Sequence, residues 1–244
     1  MSSLLRTEGL TKHFAGLVAN EAINFELNTG SIQCVIGPNG AGKTTFISMI
    51  SGHLQPNEGR IYYKDQDITK LNVVKRARIG IARKFQTPTI FDELTAYDNI
   101  ELAVLGTDCP YSDRNKNINE VLEIVHLTNE SDKPVKFLSH GQRQWLEIGL
   151  LLAVKAELLL LDEPTAGMTV EETESTARLI KHLTQEFQLS VIIIEHDINF
   201  IRDLNAPVTV LHLGRVLMEG SFEQVSANEK VREIYLGHGN ANLA

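Results

Sequence analysis

The chain has 244 residues, enough for one large domain or a core with a subdomain, and at 43% hydrophobic and 22% charged it reads as an ordinary globular protein. A net charge of -8 argues against a general nucleic-acid binder, which would show a basic surface. The longest apolar runs, 148–154, 158–161 and 191–194, fall far below the roughly 18 residues needed to span a bilayer.

Met1-Ser2-Ser3-Leu4-Leu5-Arg6 lacks the charged-then-apolar layout of a signal peptide, and Cys34 and Cys109 have neither metal nor disulfide spacing. A reducing cytoplasm is therefore expected, with any membrane role exercised through a partner. Residues 4–36 read as β-rich. Ile23, Phe25 and Leu27 alternate with polar residues, as in a half-buried strand, and Asn28-Thr29-Gly30 signals a turn. The run from Ile32 to Ile36 is apolar apart from Gln33, and Cys34 within it is expected to be a buried free thiol.

Gly37-Pro38-Asn39-Gly40-Ala41-Gly42-Lys43-Thr44-Thr45 follows, in the form G-x-x-x-x-G-K-[ST]. Its setting is the one a phosphate-binding loop requires: a strand before, and Phe46, Ile47, Met49 and Ile50 at helical spacing after. Glycines let the backbone curl around an anion, the loop N–H groups form a nest, and the next helix offers the positive end of its dipole. Lys43 adds a full charge at the β- and γ-phosphates, and Thr44 is the expected magnesium ligand.

Ile61-Tyr62-Tyr63 and Asp65 to Ile68 suggest a hairpin, Val73 to Arg78 a short basic helix, and Ile79 to Phe85 a strand closed by Gln86 and Thr87-Pro88. Residues 87–156 are helical in pattern. Thr95 and Asp98 mark a helix start, Cys109 to Asp113 a loop, and Ile118, Val121, Leu122 and Val125 one helix face. Ser139 with Gln142 three residues on has the form of a capping box before the apolar positions Trp145, Leu146, Ile148 and Leu152. This stretch is expected to be an inserted subdomain. Strands then return. Leu158 to Leu161, ended by Asp162-Glu163, and Val191 to Ile194, ended by Glu195-His196, read as strands buried on both faces of a parallel sheet. Between them residues 170–187 form a helix with Val170, Thr173, Ala177, Ile180 and Leu183 on one face. A hairpin over 208–218 and a helix near Lys230 to Tyr235 complete the chain before a Gly/Asn-rich tail.

In open α/β sheets ligands bind at the carboxyl ends of the strands. Apolar strands here end at Gly37, Gln86, Asp162-Glu163 and Glu195-His196, so one parallel sheet would bring these groups to one nucleotide. Asp162 would help hold magnesium, Glu163 would orient and polarise the attacking water, and His196 could reach the γ-phosphate. Each also has an ordinary reading. Asp162-Glu163 can cap a following helix, a lone His at a strand end is usually a satisfied loop residue, Gln86 alone carries almost no signal, and Phe14 alone reads as a core aromatic.

In this order and spacing the motifs resemble the ATP-binding cassette family, the nucleotide-hydrolysing subunits of ABC transporters, over nearly the whole chain. Gly37 to Thr44 resembles its Walker A motif, Leu158 to Asp162 its Walker B motif, and Leu138-Ser139-His140-Gly141-Gln142 its LSGGQ signature. The resemblance implies an α/β P-loop core with a parallel sheet (1–86 and 157–226), an N-terminal antiparallel β subdomain, an inserted helical subdomain (87–156) and a C-terminal helix and tail (227–244). It implies ATP and Mg2+ as cofactors. Glu163 would be the catalytic base, assisted by His196, Gln86 and Lys43; Gln86 would join Thr44 and Asp162 at the metal; and Phe14 would stack on adenine. Ser139, His140, Gly141 and Gln142 would face the γ-phosphate held by a second ATPase subunit, so that two ATP molecules are sandwiched in a head-to-tail dimer.

Two residues depart from the family's pattern. His140 replaces the first glycine of the signature pair, and Thr169 stands where many members carry Asp. Arg83 to Pro88, Ala166-Gly167-Met168 and Ile234 to Gly237 look like the ATPases of branched-chain amino-acid-type importers, and Ser139 to Gly149 looks most like those of urea importers. The expected partners are a second ATPase chain, membrane permease subunits contacted around Thr87 to Tyr97, and indirectly a solute-binding protein, with no nucleic acid, at the cytoplasmic face of the membrane. The alternatives are an exporter ATPase, as in lipopolysaccharide extraction, and a soluble ABC-type ATPase of DNA repair or the ribosome.

Overall fold

A computed structural model describes residues 2–84 and 89–236. Among these residues ten strands form two sheets. The first is antiparallel, in the order β2-β1-β4-β5, from β1 (Ser3–Phe14), β2 (Leu17–Asn28), β4 (Glu58–Tyr63) and β5 (Gln66–Asp67). The second runs β10-β9-β3-β8-β7-β6, from β3 (Ile32–Ile36), β6 (Ile81–Lys84), β7 (Leu158–Asp162), β8 (Ser190–Ile194), β9 (Val208–His212) and β10 (Arg215–Gly220). Its strands are parallel except β10, which returns antiparallel to β9.

The central strands are apolar throughout because both of their faces are covered. Side chains alternate across the sheet. Leu159, Leu161, Val191, Ile193, Cys34 and Ile36 enter one core, with helices α6 (Val170–Phe187) and α7 (Ile198–Leu204). Leu158, Leu160, Ile192, Ile194 and Val35 enter the other, between this sheet and the antiparallel one, with helix α1 (Lys43–Ile50). Burying each such side chain stabilises the fold by about 1.5–3 kcal/mol before chain entropy is subtracted. Cys34 is fully buried and free, and burial, helped by the nearby Glu195, pushes its thiol pKa up to about 12.

A third cluster joins α3 (Ala96–Leu105), α4 (Arg114–Ile124) and α5 (His140–Ala153) through Ile100, Val104, Ile118, Val121, Leu122, Val125 and Leu146. The α3 and α5 starts are both formed as capping boxes, Thr95 with Asp98 and Ser139 with Gln142. Helix α5 also reaches the main body. Ile148 joins the first core, and Glu147 forms a buried ion pair with Lys84 at 3.2 Å.

Several expectations need correction. Val170 is not on the buried face of α6: it is the first residue after the Thr169 N-cap and is 76% exposed, and burial along the helix begins at Thr173. Residues 73–78 form the expected helix, α2 (Val73–Arg78), and Arg76 within it faces inward. It is wholly buried and donates to the carbonyls of Met49, Ile50, Thr69 and Leu71, closing the C-terminus of α1. The Cys109–Asp113 loop contains a single 3-10 turn at Tyr111–Asp113. Helix α7 packs on α6, α8 (Phe222–Ala227) on β9 and β10, and α9 (Glu229–Leu236) on α8, and of these only α9 has a counterpart in the sequence reading.

Candidate functional site

The cleft at the carboxyl end of β3 is built first by the loop that follows it. A side chain at Gly37 would put its Cβ 2.2 Å from the Leu211 carbonyl oxygen, and one at Gly42, where φ is 99°, would come within 2.4 Å of the Ala19 oxygen. Only glycine fits either position. Helix α1 starts at Lys43 with Gly42 as N-cap and no side-chain cap, so its first N–H groups are left to a ligand. Lys43 Nζ donates to the carbonyls of Gly37 (2.7 Å) and Pro38 (3.1 Å), folding back over the loop. Burial lowers its pKa, and Glu163 and Asp162 pull it back up.

The cleft has a volume of about 470 Å³, within the range of ligand sites, and is lined by Asn39 to Thr45, Glu163, Ile194 and an apolar rim of Phe14, Leu17, Val18 and Leu213. Phe14 is 42% exposed and Leu213 74%, so this rim is an open apolar surface of the kind a flat base can cover.

The second wall comes from β7 and β8, which lie side by side in register from Leu158↔Ser190 to Asp162↔Ile194. Asp162 is buried and paired with Arg83 at 3.2 Å, and Arg83 also donates to Ser48 Oγ at 2.7 Å. Burial raises the Asp162 pKa, while Arg83 and then Lys43 draw it down. Its Oδ1 is buried without a hydrogen-bond partner among the described residues. Glu163, one residue on, has a left-handed backbone (φ 49°), held by its N–H on the Ile194 carbonyl at 2.9 Å. Its side chain is a third exposed and lines the cleft. Glu195 ties the two strand ends together. It accepts from the Thr165 N–H (3.0 Å) and hydroxyl and from the His196 N–H (2.9 Å). His196 Nδ1 then stands 3.7 Å from Glu163 Oε1. Gln86 lies outside the described residues.

A hard divalent cation with a bound nucleotide fits this donor set. Among the described residues no three His, Cys, Asp or Glu side chains are grouped so as to hold a metal ion by themselves, so an ion would be held by the Asp162 carboxylate, the cleft-lining Thr44 hydroxyl, phosphate oxygens and water, as Mg2+ prefers.

The signature residues are not part of this cleft within one chain: none of Ser139, His140, Gly141 or Gln142 lines it. Ser139 caps α5, accepting from the Gln142 N–H, and Gln142 returns the bond to the Ser139 N–H. The His140 side chain swings away from the helix start. Its Nε2 lies 2.8 Å from the Ala166 carbonyl, which can only accept, so Nε2 carries the proton. Thr169, where Asp was expected, is the N-cap of α6 in a capping box with Glu172. The sequence reading missed Arg83, whose role depends on the β6–β7 register. It also missed the rim residues Leu17 and Leu213, which lie far apart in the chain.

Residues 20–166 match the family described as ABC transporter, and residues 215–241 match one described as branched-chain amino acid ATP-binding cassette transporter. The chain is 33% identical to the high-affinity branched-chain amino acid transport ATP-binding protein BraF of Pseudomonas aeruginosa, over 96% of this chain and 98% of that protein. It is 35% identical to the lipopolysaccharide export system ATP-binding protein LptB of Acidithiobacillus ferridurans, over 97% and 98%. Among solved structures, the ADP conformation of MJ1267, an ATP-binding cassette of an ABC transporter, superposes with a TM-score of 0.88 at 28% identity, over 97% of this chain and all of that one (100%).

Proposed function

The chain belongs to the ABC transporter family as an ATP-hydrolysing subunit, and from that premise we propose that it powers an importer for branched-chain amino acids or urea. One observation carries the ATPase chemistry: a bare helix start, Asp162, Glu163 and His196 meet at the ends of three adjacent strands. The amino-acid reading is supported by the likeness to BraF and by the match over residues 215–241. Urea is supported by the run from Ser139 to Gly149 alone.

In this reading the N–H groups of Gly40 to Thr45 cradle the phosphates, and Lys43 exchanges its loop carbonyls for phosphate oxygens. The Phe14 ring and the apolar rim take the base. Thr44 and Asp162, with Gln86 by resemblance, would hold a magnesium ion, which when bound would neutralise phosphate charge. Glu163 accepts a proton from the attacking water as the water's oxygen bonds to the γ-phosphorus and the bond to the ADP oxygen breaks. His196 holds Glu163 and the departing phosphate in line. Catalysis by such groups is positioning and charge compensation in a site already assembled, so little reorganisation is needed when the bond breaks.

The signature helix lies off this cleft, so the site is completed by a second copy or a related chain, with ATP between the cleft of one and the α5 start of the other. No helix among the described residues is long and apolar enough to cross a membrane. The chain then sits on the cytoplasmic face of its permease, with the exposed Phe91 and the neighbouring Leu94 as contact residues. The exporter reading has its own support in the likeness to LptB. Capture of tagged Glu163→Gln protein from membranes with ATP separates the two. An import permease pair with a solute-binding protein, the latter testable with branched-chain amino acids and urea, is the expected result. An export permease, or no membrane protein, would overturn the import reading.

A further inference from the structure

The N-terminus of α5 already holds an anion from its own chain. Ser139 Oγ donates to Glu172 Oε1 at 3.0 Å, while Glu172 Oε2 accepts from the N–H (3.1 Å) and hydroxyl (3.3 Å) of Thr169. The carboxylate lies against the Gly141 backbone so closely that a Cβ there would fall 2.5 Å from Oε1. The Thr169 N–H, then the Ser139 and Thr169 hydroxyls and the Gly141 N–H, hold the Glu172 carboxyl below the usual carboxylate range. One oxygen satisfies the capping box of α6, and that box needs no more. The second oxygen reaches across 33 residues of sequence to a different helix start.

We propose that Glu172 is a positioning residue that serves as an internal stand-in for the γ-phosphate, occupying the signature helix start in the separate chain and yielding it when a second chain presents ATP. This rests on the two-chain reading above. Two anions cannot share the Ser139 hydroxyl and the Gly141 N–H. The arriving phosphate therefore drives the carboxylate back onto Thr169, where its capping bonds remain. His140, bonded to Ala166, keeps the α5 start and the segment leading into α6 together while this exchange takes place. Glu172 thereby sets how much ATP is needed to close the pair, and it does so without touching nucleotide in its own cleft.

Glu172→Gln tests this, because Gln also completes a capping box through its one amide oxygen, while the charge and the second acceptor oxygen that faces Ser139 are lost. ATP-dependent dimerisation is followed by sedimentation velocity for the Glu163→Gln chain and for the Glu163→Gln/Glu172→Gln chain, with ADP binding to each as a control for folding and for the cleft. The double variant is expected to dimerise at an ATP concentration about five-fold lower, the scale of one charge at a helix start, with ADP affinity unchanged. Dimerisation of the double variant alone would support the proposal more strongly still. An equal or higher ATP midpoint, or a changed ADP affinity, overturns the proposal and leaves the two-chain site standing. Failure of both chains to dimerise with ATP, while both bind ADP, overturns the two-chain reading and the proposal together.

Discussion

Helices α1 and α5 both begin with donors aimed at an anion, yet they are prepared in opposite ways. The α1 start has Gly42 as its cap, no side chain on its first N–H groups, and strand ends on either side that bring Lys43, Asp162 and Glu163 to the same point. The α5 start is closed by its own Ser139 and Gln142 and is then covered by Glu172 from the next helix. A site that must bind nucleotide first has to be left bare, which is tolerable because neighbouring strands and Lys43 hold the loop in shape. A site that meets nucleotide second, on an exposed surface, can be satisfied from within until a competitor arrives. Their anchoring differs too: the far end of α1 is bonded by a buried guanidinium, whereas the α5 start is held by exposed bonds.

The largest effect is expected at the bare site. Glu163→Gln should lower phosphate release by about 10²–10³-fold, the scale for losing one preorganised group, while equilibrium ATP binding persists; unchanged turnover would remove Glu163 from the role of base. The anchoring of α1 can be broken from behind. Arg76→Met leaves the Ile50 carbonyl without its donor and the Met49 carbonyl with only the Gly52 N–H at 3.3 Å, and should cost about 3 kcal/mol in urea unfolding. A loss within the scatter of surface substitutions would mean that the helix end is satisfied by other means.

At the self-satisfied site the effects should be smaller. Ser139→Ala removes a cap and should cost about 1 kcal/mol by the same assay, with ADP binding intact. The smallest is a pH effect. Because the folded-state pKa of Glu172 is lowered, its contribution is present above the ordinary carboxylate range and is lost as pH falls through the lowered value. The melting advantage of the parent over Glu172→Gln should therefore shrink on acidification. A difference independent of pH would mean that the carboxylate charge contributes nothing.

The same contrast explains what the sequence made legible. The bare site is local: the Gly37–Thr45 loop carries its geometry in nine consecutive residues, and strands buried on both faces announce themselves as apolar runs, so Asp162, Glu163 and His196 were placed by reading where those runs end. Capping boxes are equally local. Ser139 with Gln142 was read, and Ser221 with Gln224 offered the same signal for the unread α8. Tertiary pairings were not legible. Arg83 finds Asp162 only through the β6–β7 register, and Ser139 finds Glu172 only because α5 and α6 start side by side. The burial of Arg76 was not legible either, because nothing in its neighbours in the sequence reveals the carbonyls it bonds. Val170 misled because helical periodicity does not tell where burial starts along a helix, and in α6 it starts at Thr173.

The central claim is that one chain supplies the bare helix start and another the covered one. It is tested most directly by the specific rate of phosphate release from the purified wild-type chain with saturating Mg-ATP across a wide dilution series. Specific activity is expected to fall on dilution, as pairs separate and each cleft loses its signature helix. A specific activity that stays constant while sedimentation shows the chain to be monomeric would mean that a single chain hydrolyses ATP alone, and the two-chain site would have to be abandoned.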